Sequence, residues 1–262
     1  MPPPPTRVPA PGTADPLAPL LDLPGVSDAL GRSREAVDRL LNHRVLRRQS
    51  AAVSTESALR GARASAALEG ADVPLADLRA GELPDDPVVQ GALRVSVGLG
   101  ALVGVWEQAP LQAIARLHVL AAAGTVPADE LGRPRGGPAV AARLSGLAGL
   151  VAGRGTAPGT LVAAVVHGEL ATLAPFGGFG GFDGLVARAA ARLTLVTRGV
   201  DPKSVSVPEV GHLERAGDYR AALDAYRTGE PDGLARWLTH CATAVELGAQ
   251  EGLAICEAVL RG

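Results

Sequence analysis

A glycine-rich run lies between two apolar stretches of helical periodicity, and its residue types could bind an anion. Its glycines are Gly177, Gly178, Gly180, Gly181 and Gly184. Backbone N–H groups in such a loop, just before a helix N-terminus, can hold a phosphate. Asp183 is the one carboxylate in the run, and Arg188 follows on the next helix.

The same loop has competing interpretations. Its spacing is not GxGxxG, the stretch before it is helical rather than a strand, and the single lysine, Lys203, is not in a Walker A motif. Phe179 and Phe182 could instead plug the pocket, and we favour that interpretation over binding. The sequence therefore predicts residual nucleotide binding at most.

The histidines and cysteines do not have the spacing of a metal site. His167 lies seven residues before position 174, which is about 10 Å along a helix, so we predict a core histidine rather than a general base. Two histidines are interpreted as isolated and two as surface residues: His118 and His212, then His43 and His240. Cys241 and Cys256 have no CxxC spacing, and no metal cluster is predicted.

Composition indicates a helical protein with a substantial core. The chain has 262 residues, of which 47% are hydrophobic and only 3% aromatic, so Ala, Leu and Val must build its interior. The net charge is -2 and the arginines are scattered along the chain, so the sequence shows no basic patch that would indicate nucleic-acid binding. The N-terminus has no apolar signal segment, and residues 95–106 are too short to span a bilayer. We expect a cytoplasmic protein with no membrane partner.

Helical periodicity predicts the elements that position the loop. Helical stretches are predicted at 26–46 (one or two helices), 54–68, 87–106, 110–124, 139–151, 161–173, 185–196, 219–226 and 234–260. Residues 1–16 hold seven prolines and are predicted to be a disordered tail. The rest, 17–262, is predicted to be one domain, with N-terminal helices over 17–86 and a core over 87–262.

Several short motifs in this order resemble the Fic/Doc (Fido) family. Ser65, Glu69 and Gly70 match the family's Ser/Thr-x-x-x-Glu-Gly/Asn pattern, which ends an inhibitory helix. Further matching pieces are Leu117-His118, Gly132 to Arg135, His167, Ala174-Pro175-Phe176, Tyr219, Ala222-Leu223 and Trp237. The resemblance implies an all-α Fic helical bundle with at most a short β-hairpin flap.

The resemblance also shows which catalytic residues are missing. The family's loop reads His-Pro-Phe-x-Asp/Glu-Gly-Asn-Gly-Arg-x-x-Arg, with a general-base His, an acidic Mg²⁺ ligand and two arginines for the phosphates of ATP. Ala174 stands at the base position. With about three extra loop residues, Leu185 takes the first arginine position, Arg188 takes the second, and the metal position becomes a glycine, either Gly178 or Gly181. The resemblance then leaves Asp183 as the one carboxylate of the loop that could stand in for the metal ligand.

Three functions therefore remain open. The favoured one is a degenerate Fic domain that binds, regulates or scaffolds a protein partner, and the family also implies a homodimer as an alternative. The second is an active transferase that uses Asp183 and Arg188 to move AMP or another phosphate-containing group, with ATP and Mg²⁺ as the implied cofactors. The third is an unrelated helical bundle. Because the family's inhibitory Glu pairs with the second arginine, the resemblance implies a Glu69–Arg188 ion pair.

Overall fold

Helices alone form the regular structure of the described residues. The structure, a computed structural model, describes residues 15–82, 84–153 and 155–261. Over these ranges there are eleven α-helices and no strand, which confirms the predicted all-α class. The helices are α1 Val26–Leu41, α2 Ser50–Leu68, α3 Leu75–Ala80, α4 Pro87–Gln108, α5 Pro110–Ala122, α6 Gly137–Ala152, α7 Gly159–Ala171, α8 Asp183–Thr197, α9 Pro208–Glu214, α10 Ala216–Tyr226 and α11 Pro231–Arg261.

The helix ends follow from local chemistry. Asp86 accepts hydrogen bonds from the backbone N–H groups of Val88 and Val89 and so caps α4. Gly70 adopts φ +95° just after α2, the left-handed conformation that glycine tolerates at a helix end. Two helices, α3 and α9, were not predicted, because each has seven residues or fewer and begins at a proline-marked boundary. Neither is long enough to show a periodicity.

Helix α7 is the centre of the core. Nearly all of its residues are buried, as expected for a helix that is hydrophobic on every side. It packs against α8 and α11, and α8 packs in turn against α4 and α5. At Gly168 an added Cβ would lie 2.7 Å from Trp237 Nε1, so the glycine permits close contact between α7 and α11. The Trp237 indole also donates a hydrogen bond to the Ala164 carbonyl at 2.8 Å.

The N-terminal helices pack directly on this core. Helix α2 contacts α4, α8 and α9, and α1 lies along α11. The predicted proline-rich tail falls on residues 1–14, which lie outside the described residues, and on Asp15 and Pro16. Asp15 accepts a hydrogen bond from the Ala157 N–H at 2.7 Å. The predicted division at residues 16 and 86 stays a prediction.

Helix α4 is longer than the apolar segment seen in the sequence. It has 22 residues with an apolar window of mean hydropathy 1.7, so by length and composition it could cross a membrane. One third of that window is buried in the structure, and core helices of folded proteins pass the same test. Contacts with α2, α5 and α8 account for the buried side of the helix.

Candidate functional site

A helix–loop–helix unit carries the glycine-rich run. Helix α7 leads through a single 3-10 turn, Ala174–Phe176, into the loop, and α8 begins at Asp183. The glycines at 177, 178, 180 and 181 all have positive φ, and Phe182 also adopts the left-handed conformation. Glycine tolerates such backbone angles at little steric cost, which explains the composition of the run.

The carboxylate of Asp183 points back into its own loop. Its Oδ1 accepts a hydrogen bond from the Phe179 N–H at 3.0 Å. Burial raises the pKa of Asp183, and the N–H groups of Phe179 and Gly181 act against that rise. An acidic side chain of the protein therefore sits where loop N–H groups could otherwise meet an external anion.

A neighbouring segment, residues 133–136, covers the loop from the side. The Arg135 N–H donates to the Gly178 carbonyl at 2.6 Å. A Cβ on Gly180 would lie 2.7 Å from Arg135 Cζ, so the guanidinium lies directly over this glycine. The sequence had Arg135 only as part of a matching motif, and gave no signal that its side chain reaches the loop. Arg135, which also pairs with Glu130, thus places its guanidinium beside the glycines.

Arg188 and Glu69 form the ion pair that the sequence predicted. Arg188 Nη2 donates to Glu69 Oε1 at 2.7 Å, and the arginine side chain is only 2% exposed. Burial alone would lower the pKa of Arg188, but Tyr219 and Glu69 raise it overall. The predicted pair is confirmed, and it joins the end of α2 to α8.

Ser65 of α2 and Tyr219 of α10 accept from three of the four remaining N–H donors of this guanidinium. Arg188 Nε donates to Ser65 Oγ at 2.7 Å, Nη2 also donates to the Ser65 carbonyl at 3.0 Å, and Nη1 donates to the Tyr219 hydroxyl at 3.3 Å. Gly184 makes the approach of Glu69 possible, because an added Cβ would stand 2.1 Å from Glu69 Oε1. Ser65 and Glu69, both named from the sequence, therefore meet Arg188, whereas Gly70 serves as the helix end.

The base position has no proton acceptor on its side chain. Residue 174 is an exposed alanine. The imidazole nearest to the loop is His118, which stacks on Phe179 with ring centroids 4.9 Å apart and is itself fully buried. His118 Nδ1 accepts from the Gly132 N–H at 2.9 Å, so in the neutral ring Nε2 carries the proton and is a donor. Burial and then Arg135 lower the pKa of His118.

Leu185 and Phe179 belong to the apolar interior. Each is 2% exposed, so the position matched to the first arginine faces the core and offers no charge to a phosphate. Phe179 is turned under the loop, as expected of a plug, and Phe182 packs partly buried against the same core. Phe176 is different, because it is 57% exposed with the Arg143 guanidinium 5.7 Å from its ring centre.

The described residues do not fit a magnesium–nucleotide in this arrangement. Asp183, the carboxylate that could stand in for the metal ligand, is engaged by the N–H of Phe179. Arg188 has its donors committed to Ser65, Glu69 and Tyr219. A phosphate could reach that guanidinium only after Glu69 had left it.

The structure corrects the predictions for the histidines. His240 is 6% exposed rather than a surface residue, and its Nε2 lies 3.0 Å from Nδ1 of His212. His212 is not isolated, because its ring packs 4.9 Å from that of His167. Burial lowers the pKa of His167 and His212 well below 6.5 and that of His240 to about 4. Spacing could not reveal the cluster, because three separate helices supply it.

His167 has the role that the sequence predicted. It is a core histidine, and its Nε2 is 3.0 Å from the Tyr219 hydroxyl on α10. One ring nitrogen each of His167 and His212 and Sγ of Cys241 lie within 4.8 Å of one another. The sequence predicted no metal site, and that stays a prediction, although these three side chains form a group with metal-ligand chemistry.

Two solved structures resemble this chain along most of its length. A Fic family protein from Desulfovibrio desulfuricans G20 superposes with a TM-score of 0.70 at 18% identity, covering 88% of this chain and 74% of the other. The chain has the Fic fold. A fragment of Fic-1 from C. elegans gives a TM-score of 0.66 at 19% identity, covering 92% and 74%.

Comparison of the sequence with protein families and curated proteins finds no relative. No protein-family model matches the chain, and no curated protein matches it either. The Fic fold is consequently established by the helical arrangement, and the identity of the loop residues has to be judged from their own geometry. The unrelated helical bundle that the sequence left open is excluded.

Proposed function

We propose that this chain is a catalytically degenerate Fic-fold protein, which binds or regulates a protein partner in the cytoplasm instead of transferring a nucleotide. The observation that carries the proposal is Ala174, which stands at the start of the loop where the resemblance implies a general base. A methyl group accepts no proton, and loss of a general base alone costs roughly 10²- to 10⁴-fold in rate.

The burial of Leu185 and the contacts of two carboxylates also support the proposal. Leu185 is buried in the core, so the first arginine has no substitute at that position. Asp183 and Glu69 both occupy groups that would otherwise serve a phosphate, namely the loop N–H of Phe179 and the guanidinium of Arg188. Each missing or occupied group adds to the barrier for phosphoryl transfer, which depends on positioned charge.

The rim of the loop has features of a binding surface. Phe176 is a large aromatic side chain with more than half of its surface exposed, and Arg143 lies over its ring. Aromatic and arginine side chains are the ones that most often dominate the affinity of protein interfaces. The exposed Phe176 ring supports a partner that docks at the loop, with a second copy of this chain as the alternative occupant.

The test combines labelled ATP with a variant that lacks the Glu69 side chain. The wild-type chain, Glu69→Gly and the control Asp72→Gly would be incubated with labelled ATP and Mg²⁺, with and without a cell extract. We expect no label that depends on the added chain, because release of Glu69 does not supply a base. Label that depends on Glu69→Gly would instead support an active transferase. Calorimetry with ATP would separate a chain that still binds nucleotide from one that does not.

A further inference from the structure

A group of buried side chains outside the loop has the chemistry of a transition-metal site. His167 comes from α7, His212 from α9 and Cys241 from α11. All three are less than 5% exposed. Imidazole nitrogen and thiolate sulfur are the donors that Zn²⁺ prefers, and three protein ligands hold it where a water takes the fourth position. We propose that this chain binds one Zn²⁺ ion through His167, His212 and Cys241.

The spacing of the donor atoms is close to what zinc requires. They lie within 4.8 Å of one another. Bond lengths of about 2.0–2.1 Å to nitrogen and about 2.3 Å to sulfur place tetrahedral ligands roughly 3.3–3.8 Å apart. Each donor therefore needs to move by about 1 Å at most, which small side-chain rotations provide.

The helices also leave room for an ion at this point. The three side chains line a small cavity of about 20 Å³, which they share with Arg188, Arg192 and Glu209. A cavity needs about 10–15 Å³ to admit one water-sized particle. The space accommodates a single ion and nothing as large as a cofactor.

Hydrogen bonds already orient both rings as in known metal sites. A ligating histidine usually donates its second ring N–H to a partner, which fixes the tautomer. Nε2 of His167 lies 3.0 Å from the Tyr219 hydroxyl, and Nδ1 of His212 lies 3.0 Å from His240 Nε2. An ion bound by Nδ1 of His167 and Nε2 of His212 would leave both of these bonds in place.

Both arginines that line the cavity are paired with a carboxylate, which reduces their repulsion of an ion. Zinc displaces the proton of the Cys241 thiol, so one proton is released and the thiolate offsets one of the two positive charges. Arg192 is neutralised by Glu209 at 2.9 Å, and Arg188 by Glu69 at 2.7 Å. The second buried cysteine, Cys256, belongs to a different cluster of the core and provides a matched control.

The test measures metal content and then identifies the ligands. The full chain would be purified with ZnCl₂ present, dialysed and analysed for zinc, and a metal-free sample would be titrated with Co²⁺. We expect one zinc per chain, thiolate-to-cobalt charge-transfer absorption, and a higher melting temperature with zinc. Cys241→Ala should lose the absorption and most of the zinc, whereas Cys256→Ala should keep both.

Two results would overturn the site. A wild-type chain that retains no zinc and gives no thiolate–cobalt band, while circular dichroism shows it folded, contradicts the proposal directly. Equal zinc retention by Cys241→Ala and Cys256→Ala would place the metal elsewhere. Because the wild-type measurement needs no variant, the proposal remains testable even if Cys241→Ala does not fold.

Discussion

Replacing Glu69 by alanine tests whether the Glu69–Arg188 pair holds α2 onto α8. Removing one member of a fully buried ion pair costs about 3–5 kcal/mol, because the other charge is left uncompensated. Glu69 is 32% exposed, so solvent screens part of this cost, and Arg188 keeps Ser65 and Tyr219 as acceptors. We expect a loss of about 2 kcal/mol in the free energy of unfolding.

Urea denaturation followed by circular dichroism measures this loss, and Asp72→Ala is the control. Asp72 pairs with Arg63 of α2, but it is 68% exposed, so its removal should cost at most about 1 kcal/mol. A loss of about 2 kcal/mol also lowers the melting temperature by roughly 4–8 °C in a chain of this size. If Glu69→Ala were no less stable than Asp72→Ala, the pair would not stabilise the folded chain.

Two other perturbations address the same site. Gly184→Ala inserts a Cβ that would stand 2.1 Å from Glu69 Oε1, so we expect a loss of about 1–3 kcal/mol by urea denaturation. At Gly146 in α6 an added Cβ would meet no neighbouring part of the chain within 4 Å. Gly146→Ala should therefore be neutral or stabilise the chain by about 0.5–1 kcal/mol. Burial lowers the pKa of His118, so the folded state binds fewer protons there and stability falls as the pH drops through about 6.5. His118→Asn keeps an acceptor for Gly132 and should reduce that loss in pH-dependent melting; an unchanged pH profile would contradict this.

Much of the fold could be predicted because its long helices carry strong local signals. Pro87 at the first turn of α4 and Gly70 after α2 mark helix ends by their own backbone preferences. The short helices α3 and α9 were not predicted, because one or two helical turns show no periodicity. The ion pair between Glu69 and Arg188 was predictable because both residues match motifs of one family.

Other parts of the site depend on tertiary contacts that no local pattern encodes. The Arg135 guanidinium reaches Gly180 only because the covering segment, residues 133–136, packs on the loop. The Asp183 carboxylate was interpreted as a stand-in metal ligand, yet it accepts from Phe179 within its own loop. His212 and His240 are 28 residues apart in sequence, and only the packing of α9 on α11 brings their rings together.

The most direct test of the degenerate site is the intact mass of the Glu69→Gly chain after incubation with ATP and Mg²⁺. With Ala174 in place of a base and Leu185 buried in the core, the mass should stay unchanged. A gain equal to one AMP, absent when Arg188 is also replaced, would show that the loop still catalyses transfer and would contradict the account.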